Sequence, residues 1–237
     1  SIGGADAATD VRLQATGAAG ALGAVNAGRD VVIDGASVSA AGALSAGGDI
    51  ALYGRSGGVS IASASAGDDI VVRAGGTVSA SGALSAGQGA DSGGAGERLI
   101  ATAGSLTLLG TGSDLNGGVI DIRAAGITFG GALHAGGPNG SVHLQSVAGV
   151  TLGDTSVTGD VLVDAGGDVT TGALTAGRDI ALRSTAGGVS IGSASAGDDI
   201  VVRAARAINV SGALSAQGGV DAAGVGDLLF ATDRSNL

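Results

Sequence analysis

Residues 42–52 read Gly42-Ala43-Leu44-Ser45-Ala46-Gly47-Gly48-Asp49-Ile50-Ala51-Leu52, and residues 172–182 repeat them as Gly172-Ala173-Leu174-Thr175-Ala176-Gly177-Arg178-Asp179-Ile180-Ala181-Leu182. The closing phrase returns as Asp69-Ile70-Val71-Val72 and Asp199-Ile200-Val201-Val202, and more weakly as Asp10-Val11-Arg12-Leu13 and Asp30-Val31-Val32-Ile33. Marking the first apolar residue of each copy gives Val11, Val31, Ile50, Ile70, Leu99, Ile120, Val142, Val161, Ile180, Ile200 and Leu229. Most steps are 19 to 22 residues; two, from Ile70 to Leu99 and from Ile200 to Leu229, are 29. A period of about 20 residues sustained along a chain is the mark of a solenoid.

Within one period three short pieces alternate apolar and polar residues, the two-residue rhythm of a strand. They are typified by Ile50-Ala51-Leu52, by Val59-Ser60-Ile61 after Gly57-Gly58, and by Ala83-Leu84-Ser85. Glycine pairs between the pieces read as corners. One coil of this kind has a single apolar face and buries almost nothing alone. Stacked coils pair each strand in parallel with its counterpart, about 4.8 Å away, and line the interior with aliphatic ladders. The sequence therefore predicts an all-β parallel β-helix of about 10–11 coils, each with 19–20 residues and three short strands.

Composition agrees. Of 237 residues 49 are Gly and one is Pro, which disfavours long helices. Tyr53, Phe129 and Phe230 are the only aromatic residues, so the core is built from Ala, Val, Ile and Leu and must be narrow. Regularly spaced aliphatics argue against disorder. Cysteine is absent, so disulfides and thiolate metal sites are excluded. A net charge of −10 disfavours nucleic acid and anionic membranes as partners. No apolar run is long enough for a membrane-spanning helix. The opening Ser1-Ile2-Gly3-Gly4, without initiator Met or signal peptide, leads us to expect one segment, 1–237, of a longer protein.

A longer repeat overlies the coils. Residues 42–74 match residues 172–204 at 26 of 33 positions, an offset of 130, and the duplication extends over about 28–103 and 158–233. The two long steps, also 130 apart, are read as loop insertions at about 87–97 and 217–227.

The recurrent acids Asp30, Asp49, Asp69, Asp160, Asp179 and Asp199 hold one position in successive coils. Neighbouring carboxylates in such a column repel by about 1–3 kcal/mol at about 5 Å. Arg29 and Arg178 beside the column, and backbone N–H donors at the turns, are expected to offset this. A calcium ladder is the competing reading, but the period is wrong for nonapeptide repeats and the Gly-Gly-x-Gly-x-Asp phrase is missing; no metal site and no cofactor are expected.

The pairs Asp68-Asp69 and Asp198-Asp199 invite comparison with glycosidase carboxylates, yet adjacent strand residues point to opposite faces and so flank one bond poorly. Gly188-Val189-Ser190-Ile191-Gly192 fits the nucleophile-elbow pattern, but its partner copy, Gly58-Val59-Ser60-Ile61-Ala62, makes the serine part of a structural repeat. His143 is expected to point outward between Val142 and Leu144, and neither it nor His134 has a partner set for a triad or a zinc site. Asn139-Gly140-Ser141 and Asn209-Val210-Ser211 are glycosylation sequons. No catalytic residue is assigned, and the chain is not expected to be an enzyme.

Coils built on Gly-Ala-Leu-x-Ala-Gly-x-Asp-Ile-x-Leu, as in residues 42–52 and 172–182, resemble the repeat region of filamentous haemagglutinin and related two-partner-secretion exoproteins. The resemblance covers nearly the whole chain. It implies a right-handed β-helix, export through an outer-membrane secretion partner, a secreted or bacterial cell-surface location, and a shaft that projects binding regions for attachment to host cells. The Asn-Pro-Asn motifs of that group's secretion domain are absent; the nearest phrase is Gly137-Pro138-Asn139-Gly140 in mid-chain. The expectation is a monomeric, non-enzymatic rod without membrane insertion. The alternatives are a segment that itself binds a receptor or glycan through its two inserted loops and, more remotely, a polysaccharide-active β-helix enzyme.

Overall fold

In a computed structural model the chain is described over residues 2–87 and 118–218. These residues contain strands and turns and no helix, and every strand pairing among them is parallel. The fold is a β-solenoid.

One face of each coil belongs to a nine-stranded sheet, whose strands run in chain order from Val11–Gln14 through Val31–Gly35, Ile50–Gly54 and Ile70–Ala74 to Ile200–Ala204. Its register joins Val31 to Ile50, Ile50 to Ile70, Val142 to Val161, and Ile180 to Ile200, the residues that the sequence period marks. The other two faces merge into a fourteen-stranded sheet. They merge because some strands, such as Val38–Ala46 and Val189–Ala196, run unbroken round the second corner, whereas elsewhere the chain breaks into a pair such as Thr77–Ala80 and Leu84–Ala86.

Burial follows the three-sided pattern. In Val59–Ala66 the buried residues are Val59, Ile61, Ala64 and Ala66, and the three-residue step from Ile61 to Ala64 is the corner. The inner column Leu44, Ala64, Leu84 alternates large and small side chains on successive rungs. Phe129, the one aromatic residue in the core cluster, is matched by Ala80 on the preceding rung. A narrow interior tolerates a bulky side chain only against a small one.

One rung differs from expectation. Ile70 pairs directly with Ile120, 50 residues on, so no strand starting at Leu99 stands between them, and the solenoid has nine coils among the described residues. Eight spacings of about 4.8 Å make it about 40 Å long. The expected loops at about 87–97 and 217–227 lie outside the described residues except for Gly87, Gln217 and Gly218, as do Leu99 and Leu229. At the last described coil Ile208, Val210 and Leu214 are exposed, and at the first so is Ile2.

The third corner of the coil explains its glycines. A Cβ on Gly67 would lie 2.0 Å from the Gly47 carbonyl oxygen, and one on Gly197 would lie 2.1 Å from that of Gly177. At these rungs the corners approach too closely for a side chain, so glycine is required there by contact between coils. By contrast, nothing lies within 4 Å of a Cβ built on Gly130. Gly67→Ala is therefore expected to cost about 1–3 kcal/mol or more, as overpacking does, and Gly130→Ala to be neutral or slightly stabilising, both measured by thermal or denaturant unfolding.

Candidate functional site

Two columns of polar side chains run along the nine-stranded sheet, one at each end of its strands. The first is the aspartate column, at the residue before each strand. The Asp49 N–H donates to Asp30 Oδ1 at 3.1 Å, the Asp69 N–H to Asp49 Oδ1 at 3.2 Å, and the Val119 N–H to Asp69 Oδ1 at 2.7 Å. In the second half the Asp179 N–H donates to Asp160 Oδ1 at 3.3 Å and the Asp199 N–H to Asp179 Oδ1 at 3.1 Å. Each carboxylate thus caps an amide of the next coil at a corner where strand pairing cannot.

The exceptions follow the same rule. At Ser141 the hydroxyl replaces the carboxylate and accepts the Asp160 N–H at 3.0 Å. Val119 offers no side-chain acceptor, and the Ser141 N–H turns to the Gly118 carbonyl at 3.1 Å. The serine of the Asn139-Gly140-Ser141 sequon is therefore a buried structural group.

Arginines meet the column where the sequence placed them. Arg29 bonds Asp10 at 2.6 Å and lies 3.9 Å from Asp30; Arg178 bonds Asp160 at 2.8 Å. The Arg29 guanidinium is raised above its ordinary value by its hydrogen bond to Asp10.

The paired acids require a correction. Asp68 and Asp69 lie in the corner rather than in an extended strand, so the opposite-face rule does not apply to them. One oxygen from each of Asp49, Asp68 and Asp69 falls within 4.8 Å of the others, and Asp179, Asp198 and Asp199 repeat the cluster. Such a triad offers hard oxygen ligands of the type calcium takes. Of its members, Asp49, Asp69 and Asp179 already serve as acceptors for amides of the next coil, the role expected of them from sequence.

The second column lies near the far end of each strand, at the fourth or fifth residue. Asp34, Tyr53, Arg73, Arg123, Gln145, Asp164 and Arg183 are successive cross-strand neighbours. Arg73 and Arg123 stand on adjacent rungs, where like charges repel by about 1–3 kcal/mol. Asp121 offsets this by accepting from Arg73 Nη at 2.5 Å. Burial raises the Asp121 carboxyl, a shift that Arg73 opposes, and burial lowers the Arg123 guanidinium. This column floors a groove of about 690 Å³ spanning six coils, from Tyr53 to Thr185. Tyr53 Oη and the Nε and one Nη of Arg123 are shielded from solvent with no hydrogen-bond partner among the described residues. Sequence reasoning missed this groove because Arg73 and Arg123 are far apart in the chain.

Between the two columns lies a third, also on the outer face. Val32, Ala51, Val71, Leu162 and Ala181 are buried although alternation points them away from the core, and Asp121 and His143 are buried with them. His143 does leave the inner core cluster, as expected, but it is only 7 % exposed. Desolvation, with Arg123 and Arg178 adding repulsion, pushes its imidazole down to about 3.

The other singled-out residues are dispersed. Ser190 sits in mid-strand between Thr170 and Asn209 of the adjoining coils, with no strand-to-helix turn at it. His134 lies in the fourteen-stranded sheet beside Ser85 and Ser156, and His143 in the nine-stranded one. No protein-family model, curated protein or solved structure matches this chain.

Two outcomes follow for the polar columns. Asp179→Ala strands the Asp199 amide and is expected to cost about 1–3 kcal/mol, whereas Asp179→Asn keeps an acceptor oxygen and costs less; a chelator is expected to leave the melting temperature of the parent chain unchanged. His143 is neutral in the fold and has an unfolded value near 6.5. As pH falls below that value the unfolded chain takes up a proton that the folded chain refuses until about 3, so stability is lost at up to about 1.4 kcal/mol per pH unit. Asp121 acts in the opposite sense, its raised carboxyl favouring the fold as it protonates. Comparing unfolding curves of the parent and His143→Leu between pH 7 and 5 isolates the histidine, and the variant is expected to lose less stability over that range.

Proposed function

We propose that this chain is a shaft segment of a secreted bacterial surface adhesin, holding binding regions away from the cell for attachment to host cells. The observation that supports this reading is the continuous parallel ladder of nine coils among the described residues, together with a narrow aliphatic interior in a chain without cysteine. A solenoid contacts only its nearest neighbours along the axis, so it lengthens by adding coils and stays stiff.

On this reading the chain is a monomeric rod of right-handed coils, without enzymatic activity. Its partners, an outer-membrane secretion channel and the host surface, act through the longer protein to which it belongs. Stacking of coils outside the cell would draw the chain outward without ATP, because each coil that docks buries aliphatic side chains at about 1.5–3 kcal/mol each. The 130-residue duplication suits such a role, since repeating a block that begins and ends at the same point of the coil extends the ladder without changing its register.

Two interventions in the secreted protein test the proposal. Insertion of one further 130-residue unit, which adds five rungs between positions equivalent to Ile50 and Ile180, is expected to lengthen the projection by about 24 Å in electron micrographs while adherence persists. Ile180→Asp, a charge in the core, is expected to abolish export, with Ile180→Val as the permissive control. An unchanged length, or export undiminished by Ile180→Asp, would overturn the reading.

A further inference from the structure

The groove over Tyr53, Arg73, Arg123 and Gln145 is not needed by a shaft. Arg73 is neutralised by Asp121, and Arg55 at the groove wall by Asp34 at 2.7 Å, whereas Arg123 has no salt-bridge partner among the described residues. Two guanidinium nitrogens shielded from water and unpartnered among the described residues are costly to keep, and their planar fork matches a carboxylate. The one tyrosine of the chain stands two rungs away, and its hydroxyl likewise has no partner among the described residues. Gln145, on the rung beyond Arg123, adds an exposed amide.

The shape of the groove restricts the ligand further. It runs across six coils and therefore suits a linear molecule. A peptide strand cannot add to it, because the strands on its floor are already paired on both sides and β-augmentation needs an open edge. A densely charged polyanion is disfavoured by the net charge of −10 and by Asp164 within the groove. Sparse carboxylates are tolerated, since the aspartate column lies four residues back along each strand, about 13 Å away, and is largely screened at about 0.1 M salt.

We propose that this groove binds a linear oligosaccharide carrying carboxylate groups. On binding, Arg123 swings its fork out of the groove wall to grip one carboxylate through paired N–H donors, the Tyr53 hydroxyl is uncovered in the same way to meet a sugar further along, and Gln145 meets hydroxyls on the other side. Binding is weak at a single groove and gains strength where the shaft is displayed in many copies. The proposal is independent of the shaft reading, because export and projection length do not depend on Arg123.

Isothermal titration of the whole chain tests it, with a galacturonate hexamer as probe, a neutral galactose hexamer as control, and a sulfated neutral hexamer and polyglutamate as further arms. The uronate is expected to bind and the neutral sugar not to. Arg123→Gln is expected to weaken uronate binding at least about tenfold with no fall in melting temperature, and Tyr53→Phe, which keeps the ring and the fold, to weaken it severalfold. The proposal is overturned if the uronate does not bind at millimolar concentration, or if both substitutions leave binding intact. It is also overturned if polyglutamate or the sulfated sugar binds as tightly, since charge alone would then explain the effect.

Discussion

A single coil of this chain leaves every strand amide and carbonyl on its rims without a partner, and only another coil in the same register can satisfy them. That requirement governs the rest of the structure. Ile50 must meet Ile70, and Ile70 must meet Ile120 across 50 residues, because a slip of one residue would turn the aliphatic side chains outward. The interior is narrow, so alanine and leucine alternate on one side and Phe129 has Ala80 beside it.

Stacking identical coils also stacks identical charges. The aspartate column survives because each carboxylate has a backbone N–H of the next coil to accept, so the groups that repel one another also fasten the corners together. Ser141 demonstrates that the acceptor matters more than the charge, for a neutral hydroxyl serves the Asp160 amide at a similar distance. Where an arginine is available, at Arg29 and Arg178, it takes up the remaining charge. The same economy of position leaves the opposite end of the sheet free for side chains that the fold does not require, and it is there that Arg123 lies.

Much of this was legible in the sequence, because a solenoid repeats its instructions. The 20-residue period and the inward Ile, Val and Leu follow from periodicity alone, and the role of the aspartates follows from turn chemistry. That Ile70 would meet Ile120 was not legible, because alternation says that a segment can form a strand and not which neighbour it meets. The convergence of Asp68 and Asp69 was missed because strand geometry was applied to a corner. Burial of His143 was beyond reach, since alternation gives the face of a residue and not what covers that face. The groove was illegible for a topological reason: Arg73 and Arg123 become neighbours only through the pairing of Ile70 with Ile120.

The pairing across that 50-residue gap is the most demanding claim of the account, and the absence of cysteine makes it directly accessible. Ser79 and Thr128 are outward cross-strand partners, and Thr151 is the next rung beyond Thr128. A chain carrying Ser79→Cys and Thr128→Cys should form an intramolecular disulfide readily under mild oxidation, because paired Cα atoms at strand spacing fall within the about 4.4–6.8 Å that a disulfide spans. Ser79→Cys with Thr151→Cys, two rungs apart, should not. Equal cross-linking of both pairs, or none within the molecule for the first, would contradict the stacked parallel register.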